Sequence, residues 1–178
     1  MILAGQDLTA ATLNALPAPL DVLTTGSVTN TTTETTIGTF PNGIPAGDAS
    51  ANSGYEFVVT GTYDSSGTPT LRIRLYVASI ATGNRIYDSA AHTTAGTGTN
   101  QPWWVRGHLV VIGTGSGGTF DGGGVAGIAD GTVNTIMSLF AADAINTTVA
   151  NPIIVTAAWG TASTSNICRT RGGTLGRL

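Results

Sequence analysis

A chain of 178 residues with 10% charged residues, no lysine and a net charge of −3 has the length of one domain. It lacks the clustered cationic surface on which nucleic-acid binding depends. Mean hydropathy is only slightly positive, and no stretch approaches the ~18 uninterrupted apolar residues of a spanning helix, so no membrane partner is expected. Cys168 stands alone, which excludes an intrachain disulfide and a cysteine-based metal cluster.

In chain order, the opening Met1 to Asp7 has no basic segment and meets polar residues early, so no secretory leader is expected and the chain is expected to stay in the cytoplasm that makes it. Residues 1–20 read as a short helical or extended arm. Asp7 or Thr9 caps a helix running to about Ala15, and Pro17 and Pro19 stop it. Two turns of helix are unstable alone. The arm must therefore pack, either on an end of its own domain or on a neighbouring protein, with Ile2, Leu3, Leu8, Leu13 and Leu16 as its docking contacts.

Residues 21–178 change to a β pattern: Thr and Val suit half-buried pleated surfaces, and frequent Gly cuts them into short segments. Thr29 to Phe40 suits a strand pair or an edge, and Pro41-Asn42-Gly43 and Pro45-Ala46-Gly47-Asp48 are turn signals. Tyr55 to Tyr63 is a strong strand, Asp64 to Pro69 its turn, and Leu71 to Val77 the return strand of a hairpin. Trp103 to Ile112, a segment near Thr135 to Phe140, Ile153 to Trp159 and Asn166 to Thr170 are further strands, the last followed by a Gly-rich tail. Strands at such spacing, with no internal repeat and no linker, predict an all-β fold, a jelly-roll-like antiparallel β-sandwich.

Alternation assigns faces. Leu71, Ile73, Leu75 and Val77 point inward, as do Trp103, Val105, Leu109 and Val111. Arg72, Arg74 and Tyr76 are left on an outer face, and so are Trp104, Arg106 and His108. Arg with aromatics is the composition of buried contact patches, where a solvated face carries Thr, Ser, Lys and Glu. These six residues are candidates for a subunit interface or a ligand face. The ordinary alternative is a sheet face covered by a loop of the same chain.

Catalytic and cofactor chemistry finds no constellation. Gly113-Thr114-Gly115-Ser116-Gly117-Gly118 fits G-x-G-x-x-G, but three glycines at 122–124 follow where a pyrophosphate site needs a helix N-terminus, so it reads as a turn. A P-loop needs a lysine. His92 or His108 could meet Asp88 or Asp121 in space, but nothing in their spacing recommends a catalytic pairing. Asp64, Asp121, Asp130 and Asp143 are lone turn carboxylates. Cys168 reads as a small buried hydrophobe. No enzyme, no metal and no cofactor are expected.

Several segments in order, Val28 to Thr36, Ile44 to Asp48, Gly61 to Tyr63, Gly67 to Leu75, the Trp103-Trp104 strand, and Val155 to Trp159 with Ser163 to Ile167, resemble small jelly-roll virion structural proteins of tailed phages. The opening Ala4-Gly5-Gln6-Asp7-Leu8-Thr9-Ala10 looks like the start of actinobacteriophage virion proteins, and the missing lysine fits a GC-rich coding background. The resemblance implies a jelly-roll domain, often trimeric, of decoration, head-fibre or minor tail type, with no cofactor and no catalytic residues. The leading expectation is thus a capsid decoration protein of the virion, a homotrimer whose arm lies on the major capsid protein. The alternative is a tail-fibre or head-fibre module, bound to other tail or fibre proteins, that recognises host glycans through Trp104 or Tyr76 beside arginine.

Overall fold

The computed structural model describes residues 19–129 and 133–178, with the backbone alone described from 133 to 143. The strands are β1 (Asp21–Val22), β2 (Thr24–Thr25), β3 (Ser27–Thr29), β4 (Thr35–Ile44), β5 (Gly54–Ser66), β6 (Thr70–Val77), β7 (Arg85–Asp88), β8 (His92–Thr93), β9 (Thr97–Gly113), β10 (Gly118–Ala129), β11 (Val133–Ile145), β12 (Asn151–Trp159) and β13 (Ile167–Arg177). A larger sheet runs β1-β13-β5-β9-β10-β11, with β3 also on β13. A smaller one runs β2-β4-β12-β6-β7, with β8 also on β6. The pairings are antiparallel, and the two sheets enclose one core. The fold is a jelly-roll-like antiparallel β-sandwich, as its alternating strands predict.

The inward set is where period two puts it. Leu71, Ile73, Leu75 and Val77 of β6 and Trp103, Val105, Leu109 and Val111 of β9 are buried, with Phe40, Tyr55, Phe57 and Phe120 between them. Full burial of each such side chain contributes roughly 1.5–3 kcal/mol. Tyr63 and Trp159, one from each sheet, meet edge to face at 6.2 Å and tie the layers together. Trp103 lies across Gly61 of β5: a Cβ there would stand 2.3 Å from the indole and 2.1 Å from the Arg169 carbonyl. Only glycine lets these two strands and the ring occupy that layer. The thiol of Cys168 is fully buried, and burial pushes its pKa up, the state of an inert core side chain.

Four expectations are corrected. β5 and β6 do not form a hairpin; the chain turns at Gly67 and crosses from the larger sheet to the smaller. Pro41-Asn42-Gly43 is not a turn between strands but a bulge inside β4, where pairing with β12 jumps from Ile44 opposite Asn151 to Phe40 opposite Ile153. Asp21 holds that bulge, accepting the Asn42 and Gly43 backbone N–H at 2.7 and 2.8 Å. The last strand does not stop at Thr170: the Gly-rich tail belongs to β13, which pairs along β5 out to Arg177 opposite Tyr55. The strand read near Thr135 to Phe140 extends over Val133–Ile145. The arm residues Ile2, Leu3, Leu8, Leu13 and Leu16 lie outside the described residues.

Candidate functional site: two outer faces

The six outward candidates do not form one site. Arg72, Arg74 and Tyr76 sit on β6 of the smaller sheet, and Trp104, Arg106 and His108 on β9 of the larger, so they occupy opposite outer faces.

On the smaller sheet the register places Arg74 between Thr156 of β12 and Asp88 of β7, and Arg72 beside Ala158. Asp88 is the centre. Arg72 donates to it through Nε at 2.7 Å and through Nη2, Arg74 Nε at 3.1 Å, Arg85 Nη1 at 3.1 Å, and the Ala90 N–H at 2.9 Å. Burial alone would raise the Asp88 carboxyl, but the donors from Arg72, Ala90 and Arg74 outweigh it and hold its pKa below the usual carboxylate value. A second carboxylate arrives from the threonine-rich segment before β4. Glu34 accepts from Arg74 Nη1, from the Tyr76 hydroxyl at 2.8 Å and from the Thr156 hydroxyl. Burial first, then the bond to Glu34, pushes the Tyr76 pKa up to about 12. Tyr76 is 4% exposed and committed to Glu34, so it cannot stack on a ligand. The alternative weighed for this face, cover by a segment of the same chain, holds for Arg74 and Tyr76. Next to the network lies an open depression of about 240 Å³, lined by Arg72, Arg74, Glu34, Thr70, Ala91 and Gly160 among others.

The larger sheet's outer face is differently built. Across β5, β9 and β10 its rows read Glu56, His108, Gly123; then Val58, Arg106, Val125; then Thr60, Trp104, Gly127. The Trp104 indole lies over Gly127, where an added Cβ would stand 2.4 Å from Nε1 and 2.6 Å from Cε2. A glycine at that place lets the ring settle against the sheet, half-buried, with the rest turned to solvent. Arg106 reaches Glu56 at 3.4 Å, with both side chains largely exposed, and His108 is exposed beside it. At the far end Asp64 accepts the Asn100 N–H and Arg169 Nη1, both at 2.7 Å, and the Asn100 bond first of all lowers its pKa.

His108 stands opposite Glu56 in the β5–β9 ladder, and His92 lies on the short β8. Among the described residues no group of three His, Cys, Asp or Glu is placed to hold a metal ion. Gly113 to Gly118 is the β9–β10 turn, with Gly115 at φ 104° and its N–H donated to Thr147 Oγ1 at 2.8 Å. Glu34, Arg85 and Thr156 escaped the sequence reading, which weighed Asp88 only as a partner for a histidine. The one available signal was Glu34 itself, an acid isolated in a run of threonines.

No protein-family model and no curated protein matches the chain. Among solved structures it is similar to the lectin UEA-II complexed with galactose, at 7% identity over 91% of this chain and 94% of that one, TM-score 0.41. A Lotus tetragonolobus seed lectin gives 7% identity, 90% and 94% coverage and TM-score 0.41. The CBM2 module of the evolved Dit of Lactobacillus casei BL23 phage J-1 gives 10% identity, 86% and 75% coverage and TM-score 0.33.

Proposed function

We propose that this chain is a non-catalytic adhesion module of a phage virion that holds carbohydrate against the outer face of its larger sheet. The observation that carries this reading is Trp104, laid over Gly127 with one side open and with Thr60, Arg106 and His108 in adjoining positions. A sugar ring presents an apolar C–H face that packs on such a surface, while its hydroxyls reach the flanking donors and acceptors. The sheet scaffold fixes the ring before the ligand arrives, which lowers the ordering cost of binding. Affinity electrophoresis through gels containing host cell-wall polysaccharide tests it. The intact protein is retarded, and Trp104→Ala loses about tenfold in affinity, equivalent to about 1.4 kcal/mol. Equal retardation of the two proteins would remove this reading.

A second reading has its own support. Val58, Val125 and the 53%-exposed Ile112 share the face with Trp104 and Arg106, and aromatic and arginine side chains among aliphatic ones are what a subunit contact buries. This is the decoration protein, a homotrimer bound to the major capsid protein, its residue 1–20 arm docked beside it; binding only the assembled shell stabilises it. Light scattering separates the two. A trimer that Trp104→Ala dissociates favours decoration, whereas a monomer retarded by polysaccharide favours adhesion. Deleting residues 1–16 tests the arm, since truncated protein that still loads normally onto particles rules out docking through it.

A further inference from the structure

The depression on the smaller sheet is unrelated to Trp104, because the core lies between them, and its chemistry differs. Arg72 lines it with a guanidinium that cannot swing away: two of its five N–H groups hold Asp88 through both carboxylate oxygens. The remaining three N–H groups have no acceptor among the described residues, and the side chain is 36% exposed toward the opening. Glu34, 23% exposed, lines the same depression. Its Oε1 already accepts from Tyr76 and Thr156, while its Oε2 accepts from Arg74 alone among the described residues and keeps a lone pair.

A fixed donor edge and a fixed acceptor on the lining of one depression, each anchored by its own partners, form a preorganised pair. Thr70 and the exposed backbone at Gly160 complete the rim. The charges decide the ligand class. The network as a whole carries one net positive charge, Arg72, Arg74 and Arg85 against Glu34 and Asp88, but what the depression itself offers is one cationic contact, the free edge of Arg72, and one anionic contact, Glu34 Oε2. An anion would gain from Arg72 but meet Glu34 at close range; a cation would meet the reverse. A neutral group that accepts at one atom and donates at the next satisfies both. The volume, about 240 Å³, falls below the roughly 300–1,000 Å³ of sites for drug-sized ligands and suits a single ring seated in the opening.

We infer that this depression is a second ligand site, taking two adjacent hydroxyls of one uncharged sugar ring between Arg72 and Glu34. One hydroxyl accepts from the free edge of Arg72, and its neighbour donates to Glu34 Oε2. The inference does not depend on the Trp104 reading and can hold if that reading fails.

The test is a ¹H–¹⁵N titration of the full chain with methyl glucoside, methyl galactoside and methyl mannoside, beside glucuronate and galacturonate. At least one neutral glycoside should shift the Thr70, Ala91 and Gly160 amides and the Arg72 Nε–H, saturating in the millimolar range. Ala91→Trp, at an exposed rim position outside the ion-pair network, should abolish those shifts without lowering the thermal midpoint. Trp104→Ala should leave them unchanged. No shift at these groups with any neutral glycoside overturns the inference, as does a response to uronates alone. Shifts that survive Ala91→Trp, or vanish with Trp104→Ala, overturn it equally.

Discussion

On the smaller sheet, Arg72, Arg74 and Tyr76 turn their polar atoms onto Asp88 and Glu34; on the larger, Trp104, Arg106 and His108 hold one long ion pair and one glycine. All six point outward by the same alternation, yet the first three are knitted into the fold and the second three are left for something else to meet. The difference is made by two carboxylates. Asp88 enters from the neighbouring β7, and Glu34 folds in from the segment before β4. Facing outward and being available are therefore separate properties. The cover decides which one a residue has.

The strongest way to break this contrast is to empty the centre of the network. Asp88→Asn removes a carboxylate that is 4% exposed and leaves Arg72, Arg74 and Arg85 crowded around a neutral amide. Breaking a fully buried pair costs about 3–5 kcal/mol. Because the arginines are partly exposed, about 2–3 kcal/mol is expected in urea denaturation, and a loss below about 1 kcal/mol would mean the network is ornamental to the fold.

Acid should erode the same interaction. The folded-state pKa of Asp88 is lowered, so its contribution is complete above the unfolded value of about 3.9 and disappears as pH falls through the lower folded value. Stability measured from pH 6 down to pH 2 should fall more steeply in the intact protein than in Asp88→Asn. Some acid dependence persists in the variant, because the Asp64 carboxyl is also held low by the Asn100 N–H. Parallel curves would contradict the assignment.

The sequence was legible where a single strand's own period answered the question. Leu71, Ile73, Leu75 and Val77, and Trp103, Val105, Leu109 and Val111, are inward in both the alternation and the fold. What period two does not encode is sheet membership. Gly67-Thr68-Pro69 between two strands reads as a hairpin, but β6 finds its partners in β12 and β7. The tail at Gly172, Gly173 and Gly176 has poor intrinsic strand preference, and long-range pairing with β5 overrides it. Glu34 escaped for a related reason: its partners are 40 and 42 residues away on β6 and 122 away on β12.

A milder change sharpens the contrast from the other face. Gly127→Ala places a methyl where the Trp104 indole lies, and the ring must lift. Because it lifts toward solvent and not into the core, the stability loss should be about 1 kcal/mol, at the low end for an overpacked site. Loss of polysaccharide retardation should be disproportionately large. An unmoved Trp104 indole N–H signal in the variant's NMR spectrum would show that the ring does not rest on Gly127.

The smallest effect is expected at Arg106. Its link to Glu56 spans 3.4 Å, and the two side chains are 66% and 44% exposed. Water screens such a pair, and fixing two long side chains costs entropy, so exposed pairs contribute roughly 0–1 kcal/mol. Arg106→Ala should therefore change stability by less than about 0.5 kcal/mol and leave the urea slope unaltered, in contrast to Asp88→Asn on the opposite face. If the face works by adhesion, the same substitution should still weaken polysaccharide retardation, since the guanidinium adjoins Trp104 and is not needed by the fold. A stability loss above about 1 kcal/mol would place Arg106 with the knitted residues of the smaller sheet, and the division between the two faces would disappear.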